Sequence, residues 1–194
     1  MGVKVISPPG ALIPIADLRQ HLKLDASGGS HPDDAMVLAL AESARAYCEH
    51  YSACSIGEQT LELALDEFPD STAIALPHGP VQSIVSVKYI DTAAVEQTLS
   101  TSAYLLDDYR TPAYVVPAVD TVWPYTLSVV NAVKLRYLAG SNTLAPAIRA
   151  AMLLLVGHWY EHREAVAAGN FAEAPLGVRA LLDTQRDYSG AGGA

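Results

Sequence analysis

Residues 145–165 read APAIRAAMLLLVGHWYEHREA, and this stretch decides the fold. Pro146 suits the first turn of a helix, and the residues that follow are helix formers, apolar on every face through Val156 and charged beyond Gly157. A helix this apolar must be covered on all sides, which a small soluble chain achieves by enclosing it or by assembling. The spacing predicts a helix from Pro146 to about Val166, broken at Ala167–Asn170.

The segments on either side supply what covers it. Downstream, Pro175 opens a short helix in which Val178, Leu181 and Leu182 form a stripe opposite Arg179, Asp183 and Arg186. Residues 189–194, SGAGGA, are expected to be a flexible tail. Upstream, Ile15, Leu18 and Leu22 line one face of a short helix over Ile15–Leu24, which stops before the breaker run at 26–30. A longer helix follows, with Ser30 or His31 as its cap, Pro32 in its first turn, and Asp33 and Asp34 at the positive end of its dipole. Its core face is Met36, Val37, Leu40, Ala41, Ala44, Tyr47, Cys48 and Tyr51.

From about Ser55 the period changes to two. Leu61, Leu63 and Leu65 alternate with polar or small residues, as do Val85, Val87 and Tyr89, and Val133, Leu135 and Tyr137. Asp91-Thr92-Ala93-Ala94 turns the chain into Val95–Leu99 as a hairpin, and Ile74–Leu76, Tyr104–Leu106 and Tyr114–Val116 read as shorter strands. The order of helices, strands and helices predicts an α+β fold: an α-helical bundle built from both chain ends with a central antiparallel β-rich insertion, one sheet or a small sandwich. The expected divisions are 1–56 and 141–188 for the helical core, 57–140 for the insertion and 189–194 for the tail.

Composition narrows the function. With 51% hydrophobic and 17% charged residues the chain is globular rather than disordered. No apolar run reaches the roughly 20 residues of a membrane span. Pro8, Pro9 and Pro14 interrupt any secretory core, so a cytoplasmic product without a membrane partner is expected. Cys48 and Cys54 match no zinc or redox spacing and read as reduced packing thiols. A net charge of −9 argues against sequence-specific nucleic-acid binding, because phosphate affinity comes mainly from lysine and arginine. The acid concentrates in residues 57–140, with ten acids against four bases.

One constellation carries chemistry. His158-Trp159-Tyr160-Glu161-His162 matches H-x-x-E-H, in which two histidines one turn apart bind zinc and the glutamate activates water. Such a site needs a third protein ligand, and the acids downstream are only Glu164, Glu173, Asp183 and Asp187, the first of them on the same helix. A role in surface or subunit contact for Trp159, Tyr160 and His162 explains the segment more simply; a small zinc-dependent hydrolase is the alternative. The other histidines, His21, His31, His50 and His78, are dispersed, and Asp33-Asp34 and Asp107-Asp108 read as dipole compensation and a solvated loop. The ten tyrosines lack basic neighbours and suit packing or contact. There is no G-x-S-x-G, phosphate-binding glycine loop or dinucleotide fingerprint, so neither a catalytic residue nor a cofactor site is assigned.

Taken in order, IADLRQHLKLD, DDAMVLALAESARAYCEHYS, QTLELALDEFP, LPHGPVQSIVSVKYID and AMLLLVGHWYEHREAV resemble the head-tail connector, or adaptor, proteins of long-tailed bacteriophages, prophages and gene transfer agents. GHWYEHRE is the most distinctive piece. The resemblance covers most of residues 15–185 and implies a structural, non-enzymatic virion protein: a helical bundle with a β insertion. Such proteins form a homo-oligomeric ring beneath the portal protein and carry the next tail component, a tail-completion or stopper protein. The family implies a dodecameric ring in the particle, an isolated chain that can be monomeric, and assembly in the host cytoplasm. Its carboxy-terminal segment docks on the portal, which here points to Arg179, Leu182, Arg186 and Tyr188.

The zinc and assembly readings separate on metal content. Protein purified without added zinc is expected to carry no stoichiometric metal, and His158→Ala to leave its elemental analysis unchanged; stoichiometric zinc lost in that variant would defeat the assembly reading.

Overall fold

The computed structural model describes residues 2–25, 29–70, 73–162 and 176–185. They fall into two compact units, one of residues 2–10 with Gly57–Ser141 and one of Ala11–Ile56 with residues 142–185. The α+β reading of the sequence holds, with helices in one unit and antiparallel sheets in the other.

The helical unit contains α1 (Ile15–Leu22), α2 (Asp34–Ser52), α3 (Pro146–Glu161) and α4 (Leu176–Asp183). Helix α3 packs on α1, α2 and α4. Ile148, Ala151, Met152, Leu155 and Val156 sit in a core with Leu18, Val37, Ala44, Cys48, Val178 and Leu182. Each fully buried leucine contributes about 1.5–3 kcal/mol by leaving water. Most of the apolar surface of α3 is thus enclosed by its own unit, and Leu154, 44% exposed, is what stays open. Gly157 allows a close approach, since a Cβ there would meet His21 Nε2 of α1 at 3.3 Å.

Three helix ends differ from expectation, and one is that of α3, which closes at Glu161 with His162 as its C-cap, short of Val166. Helix α1 stops at Leu22 because Lys23 turns left-handed (φ 55°), so that Lys23 N–H donates to the Gln20 carbonyl and Leu24 N–H to that of Arg19. At the start of α2 neither Ser30 nor His31 is the N-cap, a position held by Asp33. His31 N–H donates to Asp34 Oδ2 at 2.9 Å, and Asp33 N–H donates to His31 Nδ1 at 3.1 Å. Arg19 Nε donates to Asp34 Oδ1 at 2.8 Å and its terminal nitrogen to Oδ2, tying α1 to α2. Arg149 of α3 likewise donates to Asp17 of α1 at 2.7 Å.

The β unit holds two antiparallel sheets. The larger has the order β1-β2-β8-β4-β5, from Gly2–Ser7, Gln59–Leu65, Val133–Ala139, Val81–Ile90 and Glu96–Thr98. The smaller is β3-β7-β6, from Ile74–Leu76, Ala113–Pro117 and Tyr104–Asp107. Alternation sends Leu61, Leu63, Val133, Leu135 and Tyr137 inward, where Ile74, Leu76 and Val115 of the smaller sheet join the same core. Tyr137, fully buried, donates its hydroxyl to the Pro77 carbonyl at 2.7 Å, and burial pushes its phenol up. The 91–94 hairpin turn forms as expected, with Asp91 Oδ1 accepting from the N–H groups of Ala93 and Val95. Strand β1 is an element that the proline-rich amino terminus conceals; it pairs Val3 with Leu63 and Lys4 with Glu62.

At Gly140, which closes β8, φ is +85°, and a Cβ would lie 1.9 Å from the Gly57 carbonyl oxygen. Gly140→Ala is expected to destabilise the β unit by ~2 kcal/mol or more through backbone strain and clash. Gly10→Ala, with nothing within 4 Å, should leave it unchanged; denaturant unfolding of the two variants checks this.

Acid acts on the helical unit. The Arg19 guanidinium, then the His31 backbone N–H, hold the Asp34 carboxyl down to about 2. Its folded value lies below its unfolded one, so the stabilisation is present above about pH 4 and lost as the pH falls through about 2. Asp34→Asn is expected to lower stability at neutral pH and to flatten the loss between those two pH values, read by urea unfolding across the range.

Candidate functional site

The H-x-x-E-H residues lie where α3 ends. His158 is in the last turn, Glu161 is the final helical residue and exposed, and His162 is the C-cap. The imidazoles lie side by side, with ring centroids 4.6 Å apart and planes 37° apart. His162 turns back onto its own helix: its backbone N–H reaches the His158 carbonyl at 3.1 Å and its Nδ1 donates to that oxygen at 2.9 Å. Among the described residues, His158 Nε2 is buried without a hydrogen-bond partner. Among the described residues no three His, Cys, Asp or Glu side chains gather to hold a metal ion. Of the acids available as a third ligand, Asp183 accepts the Tyr51 hydroxyl at 2.8 Å, while Glu164, Glu173 and Asp187 lie outside the described residues.

The aromatic residues between the histidines work within the helical unit. Trp159 meets Tyr47 edge-on at 6.4 Å, and Tyr47 stacks on Tyr51 at the same distance. Tyr160 donates its hydroxyl to Asp33 Oδ2 at 2.6 Å, tying the end of α3 to the start of α2. Both rings are half-buried, and His162 is exposed.

Helix α4 divides as its stripe predicts. Val178 and Leu182 are fully buried and Arg179 is half-buried. Leu182 is therefore spent on the core of its own unit, whereas its apolar character alone suited it equally to a partner surface. Arg186 and Tyr188 lie outside the described residues. Burial, then Glu49, pushes the Cys48 thiol up to about 12, which keeps it a packing group.

A second feature has no counterpart in the sequence motifs. Between the β2–β3 and β7–β8 connections lies a cavity of about 400 Å³ lined by Glu67, Phe68, Asp70, Val122, Trp123 and Tyr125 among others. Phe68 and Trp123 stack at 4.9 Å, and among the described residues Trp123 Nε1 is buried with no hydrogen-bond partner. Around it Val119, Val122 and Tyr125 are more than four-fifths exposed. The only sequence signal is apolar residues without period in AVDTVWPYTLSVVN, residues 118–131.

No family model and no curated protein matches the chain. Solved structures do. A chain from the neck of an empty gene transfer agent particle, computed with C6 symmetry, is 26% identical, with a TM-score of 0.77 over 96% of this chain and 95% of that one. A chain of the native gene transfer agent virion is 24% identical with a TM-score of 0.75, and one from the native neck computed with C12 symmetry is 24% identical with a TM-score of 0.69, at the same coverage. The protein shares its fold with these chains of a phage-like particle.

Proposed function

We propose that this protein is a structural component of the neck of a phage-like particle: a head-tail connector, or adaptor, with no catalytic role. The observation that carries the reading is the correspondence with a neck chain over 96% of the length at 26% identity. In this role the chain forms a homo-oligomeric ring, dodecameric in the particle, with the portal protein on one side and a tail-completion or stopper protein on the other. It resides in the virion and in the host cytoplasm during assembly. The C12 and C6 symmetries of the similar necks support a ring. The net charge of −9 supports a passage along which DNA slides without adhering.

The portal contact is assigned to the segment from Arg179 through Arg186 and Tyr188. Because Leu182 is buried in its own unit, the described part of this contact is the polar side of α4 at the half-buried Arg179. At the other end of the bundle, His162 is the exposed member of the subunit-contact set, with Trp159 and Tyr160 backing it from the half-buried side.

Deletion of the residues after Leu182 is expected to leave a folded protein that no longer joins filled heads. Loss of the Tyr51–Asp183 hydrogen bond should cost about 1 kcal/mol, read by thermal unfolding. Particle assembly measures the function, and normal infectious particles from the truncated protein would contradict the assignment.

A further inference from the structure

Charge in the β unit is segregated. On the outer face of the five-stranded sheet, opposite the buried leucines, Lys4, Lys88, Lys134 and Arg136 stand together with two carboxylates, Glu62 and Glu96. Residues 57–140 carry four bases and ten acids, so this face takes three of those bases and leaves eight acids elsewhere. Lys88 pairs with Glu96 at 2.8 Å and Arg136 with Glu62 at 2.5 Å. Lys88 and Lys134 are directly opposite in register, a like-charge pair that works against the sheet's own stability. Among the described residues no ion pair uses Lys134 or Lys4. Glu96 feels Lys134 and Arg136 as well as Lys88, yet four bases against two carboxylates leave the face net positive on an acidic unit, and that calls for an anionic partner surface.

The same unit provides one. The cavity floored by Phe68 and Trp123 is rimmed by Glu67 and Asp70, with Asp66 and Asp120 next to them in the chain, and its exposed Val122 and Tyr125 add apolar area. A cationic face and a separate acidic, apolar rim on one molecule are the two halves of a head-to-tail contact, the kind that generates a ring when its rotation closes. We propose that the cationic sheet face of one copy seats on the acidic, apolar rim of the next copy. This rests on the ring reading above and gives it its contact surfaces. A second copy satisfies both patches at once; duplex DNA would be drawn to the sheet face but repelled by the rim, which it would leave uncovered.

The test uses the full chain, mixed from unlabelled and nitrogen-15-labelled preparations, free and in purified particles, and treated with a carbodiimide that joins lysines to carboxylates in contact. Mixed-isotope cross-links from Lys88 and Lys134 to Glu67 and Asp70 are expected. The variants K88E/K134E and E67K/D70K, each checked for native circular dichroism, should lose self-association separately. Mixed together they should regain it, because each then offers the other an opposite charge. Self-association that persists in both variants, or cross-links confined to other residues, overturns this contact and leaves the ring reading standing. Binding of duplex DNA that K88E/K134E abolishes, without copy-to-copy links, overturns it in favour of a nucleic-acid face. No copy-to-copy link in the wild-type chain, free or in particles, overturns the ring reading as well.

Discussion

Helix α3 has almost no polar face before its last turn, and the rest of the helical unit exists to keep that surface from water. Helices α1, α2 and α4 enclose it, so the core is built from Leu155 and Val156 on one element, Val37 and Cys48 on another and Val178 and Leu182 on a third. Polar ties then fix the cover: Arg149 to Asp17, Tyr160 to Asp33 and Tyr51 to Asp183. Each net hydrogen bond is worth only about 1 kcal/mol. Burial drives the packing, and the ties select its register.

Enclosure also changes what α3 says about assembly. Its apolar first half implies covering by itself or by neighbours, and the fold satisfies most of that demand internally, leaving Leu154. The larger open apolar surface is on the other unit, at Val119, Val122 and Tyr125, beside acids that carry no counter-ions of their own nearby in sequence. That rim adds a second surface for contact between copies to the one proposed around His162 at the end of α3.

Much of this was legible because it depends on local period. The three- and four-residue steps of Val37, Ala41, Ala44 and Cys48 announce α2, and the alternation around Leu63 and Leu135 announces β2 and β8. What could not be read is set by distant partners. Strand β1 has one half-buried residue, Val3, and is a strand only because β2 pairs with it. The placing of β8 between β2 and β4, and the division into two sheets over one core, are likewise properties of pairing. In the candidate site the H-x-x-E-H spacing was visible, but the helix end that turns His162 back onto the His158 carbonyl was not. The cavity beside Trp123 joins two connections far apart in the chain, which no local pattern links.

The two units have one more property in common: each is discontinuous, and each closes on a segment from the later part of the chain. The central strand of the large sheet begins at Val133, and the helix at the heart of the bundle at Pro146. A ribosome making this protein releases α1, α2 and seven strands before the pieces that unite them exist. Most of the contacts therefore span long loops, which slows folding and leaves strand edges exposed meanwhile. For a particle part this has a benefit, since a chain that stops before Val133 has closed neither unit and cannot compete for a place in the assembly.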